Sequence, residues 1–199
     1  PQTPQREVYL KIIEDMETAA GQVKPIGEVE CGGRISQSAV WGILARVCLY
    51  MAGEPVNEPG MYAKAKEYAA KVIGTGYHAL NLSYQQVFIN YIQDKYDTRE
   101  SIFEVEFYGN NVGTYSTTAG QVGRNNGIKF TNTDMPEVGY SIGSIRATPY
   151  FFQLFEEDDE RRDWSIANYT LSDSGEKETV SANNMWIRFC GKFRREYEL

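Results

Sequence analysis

The chain has 199 residues, of which 42% are hydrophobic, and it carries a formal net charge of −7 at pH 7. A chain of this length and apolar content can bury one sizeable core, which argues against wholesale disorder. The acidic balance argues against a nucleic-acid partner, which usually meets a basic face, and no apolar run approaches the roughly 18 residues of a membrane-spanning helix.

The first predicted helix begins near the start of the chain. We expect Thr3 to be its N-cap and Pro4 to occupy its first helical position. An apolar stripe at helical spacing should face the core, and it consists of Val8, Ile12, Met16 and Ala19. Gly21 is expected near the end of this helix.

Residues 33–80 contain two helix-period runs that predict a helix, a turn and an antiparallel helix. The first run ends at residues 53–55, and the second ends between Gly74 and Gly76. Small residues between the larger ones allow two helix axes to approach closely; they are Ala39, Gly42, Ala45, Ala65 and Ala69. A pair of this length and pattern is typical of a tetratricopeptide-type unit. Cys48 lies in the first run and is expected in the core.

The second half of the chain is predicted to hold short elements. Ser83 is expected to cap a short helix, and residues 101–108 alternate apolar and charged side chains, which predicts a strand. Residues 109–127 are rich in Gly, Asn, Ser and Thr and are predicted to form a long loop, a type that is often functional.

Thr148 is expected to cap a helix over residues 149–156 that begins with Pro149. The charged run at 158–163 is interpreted as a solvated turn. Residues 164–171 and 184–193 are predicted to be two strands of a hairpin, joined by a polar turn.

These elements together predict a mostly α-helical fold, with tetratricopeptide-like hairpins, an irregular loop-rich region and short β-strands. We expect one domain over residues 1–199, in which residues 1–94 form a helical scaffold and residues 95–199 form the loop-rich region. Because the chain opens on PQTPQ without an initiator Met and closes without a polar tail, we expect it to be part of something longer.

Several separate stretches agree in order and spacing with one family. They are EVY at 7–9, DMETA at 15–19, GRI at 33–35, LARVCLY at 44–50, YAKA at 62–65, AAKVI at 69–73, GYHAL at 76–80, YQQVF at 84–88, ESIFEV at 100–105, PYFFQLF at 149–155, DERRD at 159–163 and GKF at 191–193. In these stretches the chain resembles the central portion of SusD/RagB proteins, which are nutrient-binding lipoproteins of the Bacteroidetes outer membrane.

The resemblance implies a SusD-like fold and a non-catalytic function at the cell surface. It implies capture of an oligosaccharide and its delivery to a SusC-like TonB-dependent transporter in the outer membrane. It also implies a lipid anchor, which would lie outside this sequence, and it implies no cofactor. The family's binding residues follow no motif, so no site residue is carried over from it.

The candidate ligand site comes from the residues of the irregular region. Tyrosine offers a flat apolar face for a sugar ring, and the chain has 14 tyrosines. The candidates are three tyrosines with neighbouring hydrogen-bonding side chains: Tyr108, Tyr115, Tyr140, Arg124, Asn125 and Asn126. The alternative is that these tyrosines only fix the loop to the scaffold. Neither the monosaccharide nor the linkage can be inferred from the sequence.

Two other function classes stay open beside glycan binding. Glu104 and Glu106 would lie on one side of the predicted strand, a spacing compatible with a carboxylate-based glycosidase, although we expect no catalytic residues. A tetratricopeptide-type scaffold would instead bind a peptide or protein in a helical groove. We predict no zinc site, because the chain has one histidine and no metal-ligand spacing of its three cysteines. A calcium ion at 158–160 and a disulfide between Cys31 and Cys190 are left undecided.

Overall fold

The fold is described from a computed structural model, in which residues 2–106, 121–181 and 184–198 are described. The described residues are mostly helical, as predicted. The helices are α1 (Gln5–Ala20), α2 (Gln37–Ala52), α3 (Met61–Gly74), α4 (Tyr84–Ile92), α5 (Gln121–Asn126), α6 (Pro149–Gln153) and α7 (Glu160–Ser165). The described residues also contain two short strands, β1 (Tyr169–Leu171) and β2 (Lys177–Thr179), and the 3-10 turns Ile26–Glu28, Met185–Ile187 and Arg195–Tyr197.

The chain divides into two compact units. The first unit comprises Pro1–Leu80 with Tyr96–Glu106, and the second comprises Asn81–Lys95 with Phe107–Leu199. The predicted division into residues 1–94 and 95–199 within a single domain stays a prediction.

Helix α1 begins one residue later than predicted. Pro4, not Thr3, is its N-cap, and no side chain caps the first turn. The buried face differs in part from the predicted stripe, because Ile13 and Ala20 are buried while Val8 and Ile12 are exposed. Met16 of the predicted stripe does pack against the core. Both stripes fit a period of 3.6, and the apolar run around Leu10 gave no basis for choosing between them.

The α2–α3 hairpin is confirmed and forms the core of the first unit. Ser36 caps α2 by accepting a hydrogen bond from the backbone N–H of Ala39 at 3.2 Å. Helix α2 packs against both α3 and α1. The buried core residues are Ile13, Ala20, Val40, Leu44, Cys48, Met51, Ala65 and Tyr68. Cys48 is therefore a core residue, as expected, whereas Ala69 is exposed and does not face α2.

Tyr68 joins α3 to α1 by donating a hydrogen bond from its hydroxyl to the Glu17 carboxylate. Lys64 also contacts Glu17, at 3.3 Å. The hydrogen bond from Tyr68, supplemented by Lys64, holds the pKa of Glu17 below its ordinary value of 4.5. Burial and the same hydrogen bond raise the pKa of Tyr68 above its ordinary value of 10.0.

We expect Glu17→Gln to destabilise the protein at neutral pH but not in acid. A carboxyl whose pKa is depressed in the folded state contributes stability above its unfolded pKa, and this contribution is lost as the pH falls through the folded pKa. The Glu17 side chain is 45% exposed, so solvent screening limits the effect to about 0.5–1 kcal/mol at pH 7. Urea unfolding of both proteins at pH 7 and pH 3 tests this. An equal difference at both pH values would contradict it.

Residues 101–106 do not form the predicted strand. The segment lies along the loop before α2, and the only backbone hydrogen bond recorded between the two is from Glu104 N–H to Gly32 C=O, at 3.1 Å. The Glu106 carboxylate accepts from the Gly33 N–H at 3.0 Å, and the Glu104 carboxylate accepts from the Ser101 hydroxyl at 2.9 Å. The residues of the alternating pattern therefore hold the loop before α2 in place and do not form part of a sheet.

In the second unit, two predicted helix caps are confirmed and one predicted turn is wrong. Ser83 caps α4 and Thr148 caps α6 through their side-chain oxygens. Helix α6 is shorter than predicted. The charged run at 158–163 is not a turn, because Asp159 accepts from the Arg161 N–H at 2.9 Å and caps α7.

The predicted hairpin exists with a different second strand. Strands β1 and β2 pair antiparallel, with Tyr169 opposite Thr179. The turn between them contains Gly175 at φ +78°, a value that favours glycine. Residues 184–193 hold a 3-10 turn and two isolated bridges, Phe189 with Arg146 and Cys190 with Ile166. The core of this unit contains Ile128, Ala167, Tyr169 and Phe189.

All three cysteines are free, so the Cys31–Cys190 disulfide does not form. Within the described residues, no helix combines the length and apolarity needed to cross a membrane.

Candidate functional site

Helix α5 forms at the end of the stretch that was predicted to be loop throughout. Its packing requires small residues, because a side chain at Gly123 would approach the Arg195 side chain to 3.0 Å. A side chain at Gly127, just past the helix, would lie 2.9 Å from the Phe193 carbonyl oxygen. The glycines that suggested a loop thus permit a short helix to pack closely on the segment before the last 3-10 turn.

An extended segment at residues 140–144 runs along α5 and is fixed to it by backbone bonds. The Ile142 N–H donates to the Arg124 carbonyl oxygen at 2.8 Å, and the Ser144 N–H donates to the Asn125 carbonyl oxygen at 2.8 Å. Ser141 is fully buried and donates from its hydroxyl to the Gly123 carbonyl oxygen at 3.0 Å. The two backbone bonds satisfy carbonyl groups at the end of α5 that the helix itself leaves unpaired, whereas the Gly123 carbonyl also accepts from the Gly127 N–H at 2.9 Å.

This arrangement brings together two predicted site residues, Arg124 and Tyr140. The Arg124 guanidinium carbon lies 5.7 Å from the centre of the Tyr140 ring, within cation–π range. Arg124 is exposed and Tyr140 is half-buried. Among the described residues, no carboxylate forms a salt bridge with Arg124. The pair therefore presents an aromatic ring and a guanidinium at one place on the surface, and the described residues supply no ion-pair partner to that guanidinium.

The two predicted asparagines differ in their surroundings. The Asn125 side chain donates to the Gln121 side-chain oxygen at 3.0 Å, one helical turn earlier. Gln121 was not singled out in the sequence, although its four-residue spacing from Asn125 is the pattern that finds such pairs. Asn126 is half-buried, and its side chain has no recorded partner within the described part of the chain.

Tyr108 and Tyr115, the other two predicted platforms, lie outside the described residues. The described part of the site thus consists of Arg124, Asn125, Asn126 and Tyr140 on a short helix and one adjoining segment. The stacking of Arg124 on Tyr140 also agrees in part with the alternative that the tyrosine fixes the loop. One ring can do both, because a half-buried tyrosine keeps part of its surface exposed.

The arrangement offers binding groups and no nucleophile paired with a base. Glu104 and Glu106 belong to the first unit, and both carboxylates accept hydrogen bonds there. The strand that would have placed them as a glycosidase pair is not present. The three ranges of described residues contain no group of three or more His, Cys, Asp or Glu side chains placed to hold a metal ion.

The chain is similar to solved structures of other proteins. No protein-family model matches the chain, and no curated protein sequence does. A solved structure of a SusD homolog from Bacteroides thetaiotaomicron superposes on 96% of the chain with a TM-score of 0.79 and 25% sequence identity. A SusD superfamily protein from Parabacteroides distasonis matches 98% of the chain with a TM-score of 0.63 and 21% identity.

A third solved structure, a SusD superfamily protein from Bacteroides fragilis, matches 95% of the chain with a TM-score of 0.58 and 16% identity. The two matches at lower identity carry information on the fold alone. The chain spans 40%, 40% and 44% of the lengths of these three structures. Nearly the whole chain is thus matched by less than half of each neighbour.

Proposed function

We propose that this chain, which is SusD-like, contributes to a protein that binds an oligosaccharide without chemically changing it. The observation that carries the proposal is the exposed Arg124 beside the half-buried Tyr140 ring, where no carboxylate of the described residues forms a salt bridge with Arg124. An aromatic face packs against the apolar C–H surface of a sugar ring, and guanidinium and amide groups bind the hydroxyls. Asn125 and Asn126 on α5 supply the amides.

The delivery partner of this protein is proposed from the same likeness. We expect the complete protein to dock onto a SusC-like TonB-dependent transporter at the outer membrane, held there by a lipid anchor outside this sequence. The net charge of −7 fits a carrier better than a nucleic-acid binder, which usually has a basic face.

Tyr140→Ala is expected to weaken oligosaccharide binding about tenfold, because an aromatic contact of this kind contributes about 1–1.5 kcal/mol. Tyr140→Phe should retain most of the affinity, since the ring face remains. Affinity gel electrophoresis on a panel of polysaccharides, followed by calorimetry on the best ligand, measures this. Tyr62→Ala, which removes a tyrosine that is 52% exposed on α3, is the matched control. Equal affinity of Tyr140→Ala and wild type would contradict the site.

The second candidate is a peptide-binding scaffold of tetratricopeptide type. The observation that favours it is the set of exposed apolar side chains on α2 and α3: Leu49 is 53% exposed, Tyr50 62% and Ile73 79%. A groove beside a helical hairpin could accept a peptide there. Binding to a peptide array in the absence of saccharide binding would favour this candidate.

A further inference from the structure

A second set of exposed aromatic side chains lies away from Arg124 and Tyr140 in sequence and was not singled out there. Tyr150 on α6 is 72% exposed, and Trp186 in the Met185–Ile187 turn is 67% exposed. Aromatic side chains bury a larger area than most other side chains when they contact a ligand or a protein. Two rings this exposed therefore indicate a binding surface.

Backbone pairing holds the two aromatic segments next to each other. Arg146 and Phe189 form an antiparallel bridge, and the Ala147 N–H donates to the Arg188 carbonyl oxygen at 2.9 Å. Tyr150 is four residues after Arg146, and Trp186 is three residues before Phe189. Because an extended residue spans at most about 3.6 Å, the backbone at Tyr150 is within about 14 Å of the bridge, and that at Trp186 within about 11 Å.

A buried arginine packs against the helix that carries Tyr150. Arg188 is only 7% exposed, and its guanidinium carbon lies 4.1 Å from the centre of the Phe152 ring on α6. Arg162 stacks near the same ring, at 5.1 Å. The helix that carries Tyr150 is therefore packed against the residue two places after Trp186. Such packing restrains the backbone of the two segments that carry the aromatic residues, which lowers the entropy cost of binding.

The cation at this surface is Arg146. It is exposed, and its guanidinium carbon lies 5.1 Å from the centre of the Phe189 ring. Within the described ranges, Arg146 forms no salt bridge. In a chain with a net charge of −7, an exposed arginine that is held in place by a ring and lacks a carboxylate partner is suited to an anionic group on a ligand.

We propose that Trp186, Tyr150 and Arg146 form a binding surface for an acidic saccharide. One or two sugar rings stack on the aromatic side chains, and a carboxylate or sulfate of the sugar contacts Arg146. This inference rests on the proposed saccharide-binding function and adds to it a ligand class and a place. The anionic class is inferred from the charge of Arg146, because a guanidinium binds a carboxylate or sulfate more strongly than it binds a neutral hydroxyl.

The surface also has aliphatic neighbours, which a protein partner would use. Ile145 is 51% exposed and Leu154 is 62% exposed. A sugar gains little from branched aliphatic side chains, whereas a protein interface would bury them together with the aromatic rings. Leu154→Ala therefore distinguishes a protein partner, whose binding it should weaken, from a saccharide, whose binding it should leave unchanged.

The test is calorimetric titration of the full chain with two tetrasaccharides, the carboxylated tetragalacturonate and the neutral maltotetraose. We expect tighter binding of tetragalacturonate, with an affinity that falls as the salt concentration rises. Trp186→Ala and Arg146→Gln should each weaken it about tenfold, since a stacked ring or a charged hydrogen bond contributes roughly 1.4 kcal/mol or more. Arg34→Gln removes an exposed charge elsewhere and should change nothing.

The possible outcomes separate this inference from the proposed function. An affinity for tetragalacturonate that is unchanged in both Trp186→Ala and Arg146→Gln would contradict the proposed binding surface. A saccharide affinity that is lost only in Tyr140→Ala would overturn it too, but would leave the proposed function standing. Binding of neither tetrasaccharide, nor of a sulfated chondroitin oligosaccharide, would count against both. If Leu154→Ala abolishes capture of a protein while Trp186→Ala leaves saccharide binding unchanged, the surface is a protein interface.

Discussion

Leu44→Ala is expected to destabilise the first unit by about 2–5 kcal/mol, because it removes a buried side chain and leaves a cavity. Leu44 has no exposed surface and lies in the middle of α2, within the core that also contains Cys48 and Met51. The close packing of α1 and α3 against α2 limits how far the structure can relax into the space. Urea unfolding followed by circular dichroism measures the loss.

The matched control for this substitution is Leu49→Ala on the same helix. Leu49 is 53% exposed, so its truncation should cost less than about 1 kcal/mol. A substitution at Leu44 that costs no more than the one at Leu49 would mean that α2 does not bury the face described here.

Gly139→Ala is expected to destabilise the second unit by at least about 2 kcal/mol and to weaken saccharide binding with it. Gly139 has φ +84°, a conformation that costs a residue with a side chain roughly 1–3 kcal/mol. An added Cβ would also lie 2.4 Å from the Cβ of Arg195, so the backbone must shift. Because Tyr140 is the next residue, the shift would move its ring away from Arg124.

Gly74→Ala is the control for this substitution. Gly74 is the last residue of α3, and an added Cβ would meet nothing within 4 Å. The change should be neutral or stabilising by about 0.5–1 kcal/mol, since alanine is the better helix former. Thermal unfolding of both variants and a repeat of the saccharide titration measure the two effects. A Gly139→Ala protein with wild-type stability and affinity would contradict the described packing of residues 139–140.

The helices with local sequence determinants could be predicted. Helices α2, α3 and α4 follow from apolar periodicity, and Ser83 and Thr148 are caps as predicted because a cap needs only a side chain and a backbone N–H three residues later. The resemblance to SusD is likewise confirmed by the solved structures that match nearly the whole chain. The helices and caps were inferred from residues close together in sequence, and the resemblance was inferred from a pattern spread over the whole chain.

Elements that depend on a distant partner could not be predicted. Residues 101–106 have the alternation of a strand, but within the described residues no strand pairs with them, and Glu104 and Glu106 bond instead to the loop at Gly32 and Gly33. The second strand of the hairpin is β2 instead of residues 184–193, because the turn at Gly175 brings Lys177–Thr179 back to β1 first. Alternation shows which residues suit a sheet and does not show which segment pairs with them.

The candidate site was only partly predictable, because its residue types are local and its geometry depends on a distant segment. Its residue types were evident, because amides, arginine and tyrosine in a glycine-rich region are groups suited to binding sugars. The stacking of Arg124 on Tyr140 was not, since it depends on the pairing of residues 142 and 144 with the end of α5. Trp186 and Tyr150 were missed because exposure is a property of the fold.

The most direct measurement is affinity gel electrophoresis of the purified chain through a panel of neutral and acidic polysaccharides, with a peptide array screened alongside. We expect the chain to be retarded by at least one polysaccharide, the retardation to be competed by soluble oligosaccharide, and the polysaccharide to remain uncleaved. Binding to peptides with no retardation by any polysaccharide would contradict the saccharide-binding function and support the peptide scaffold instead.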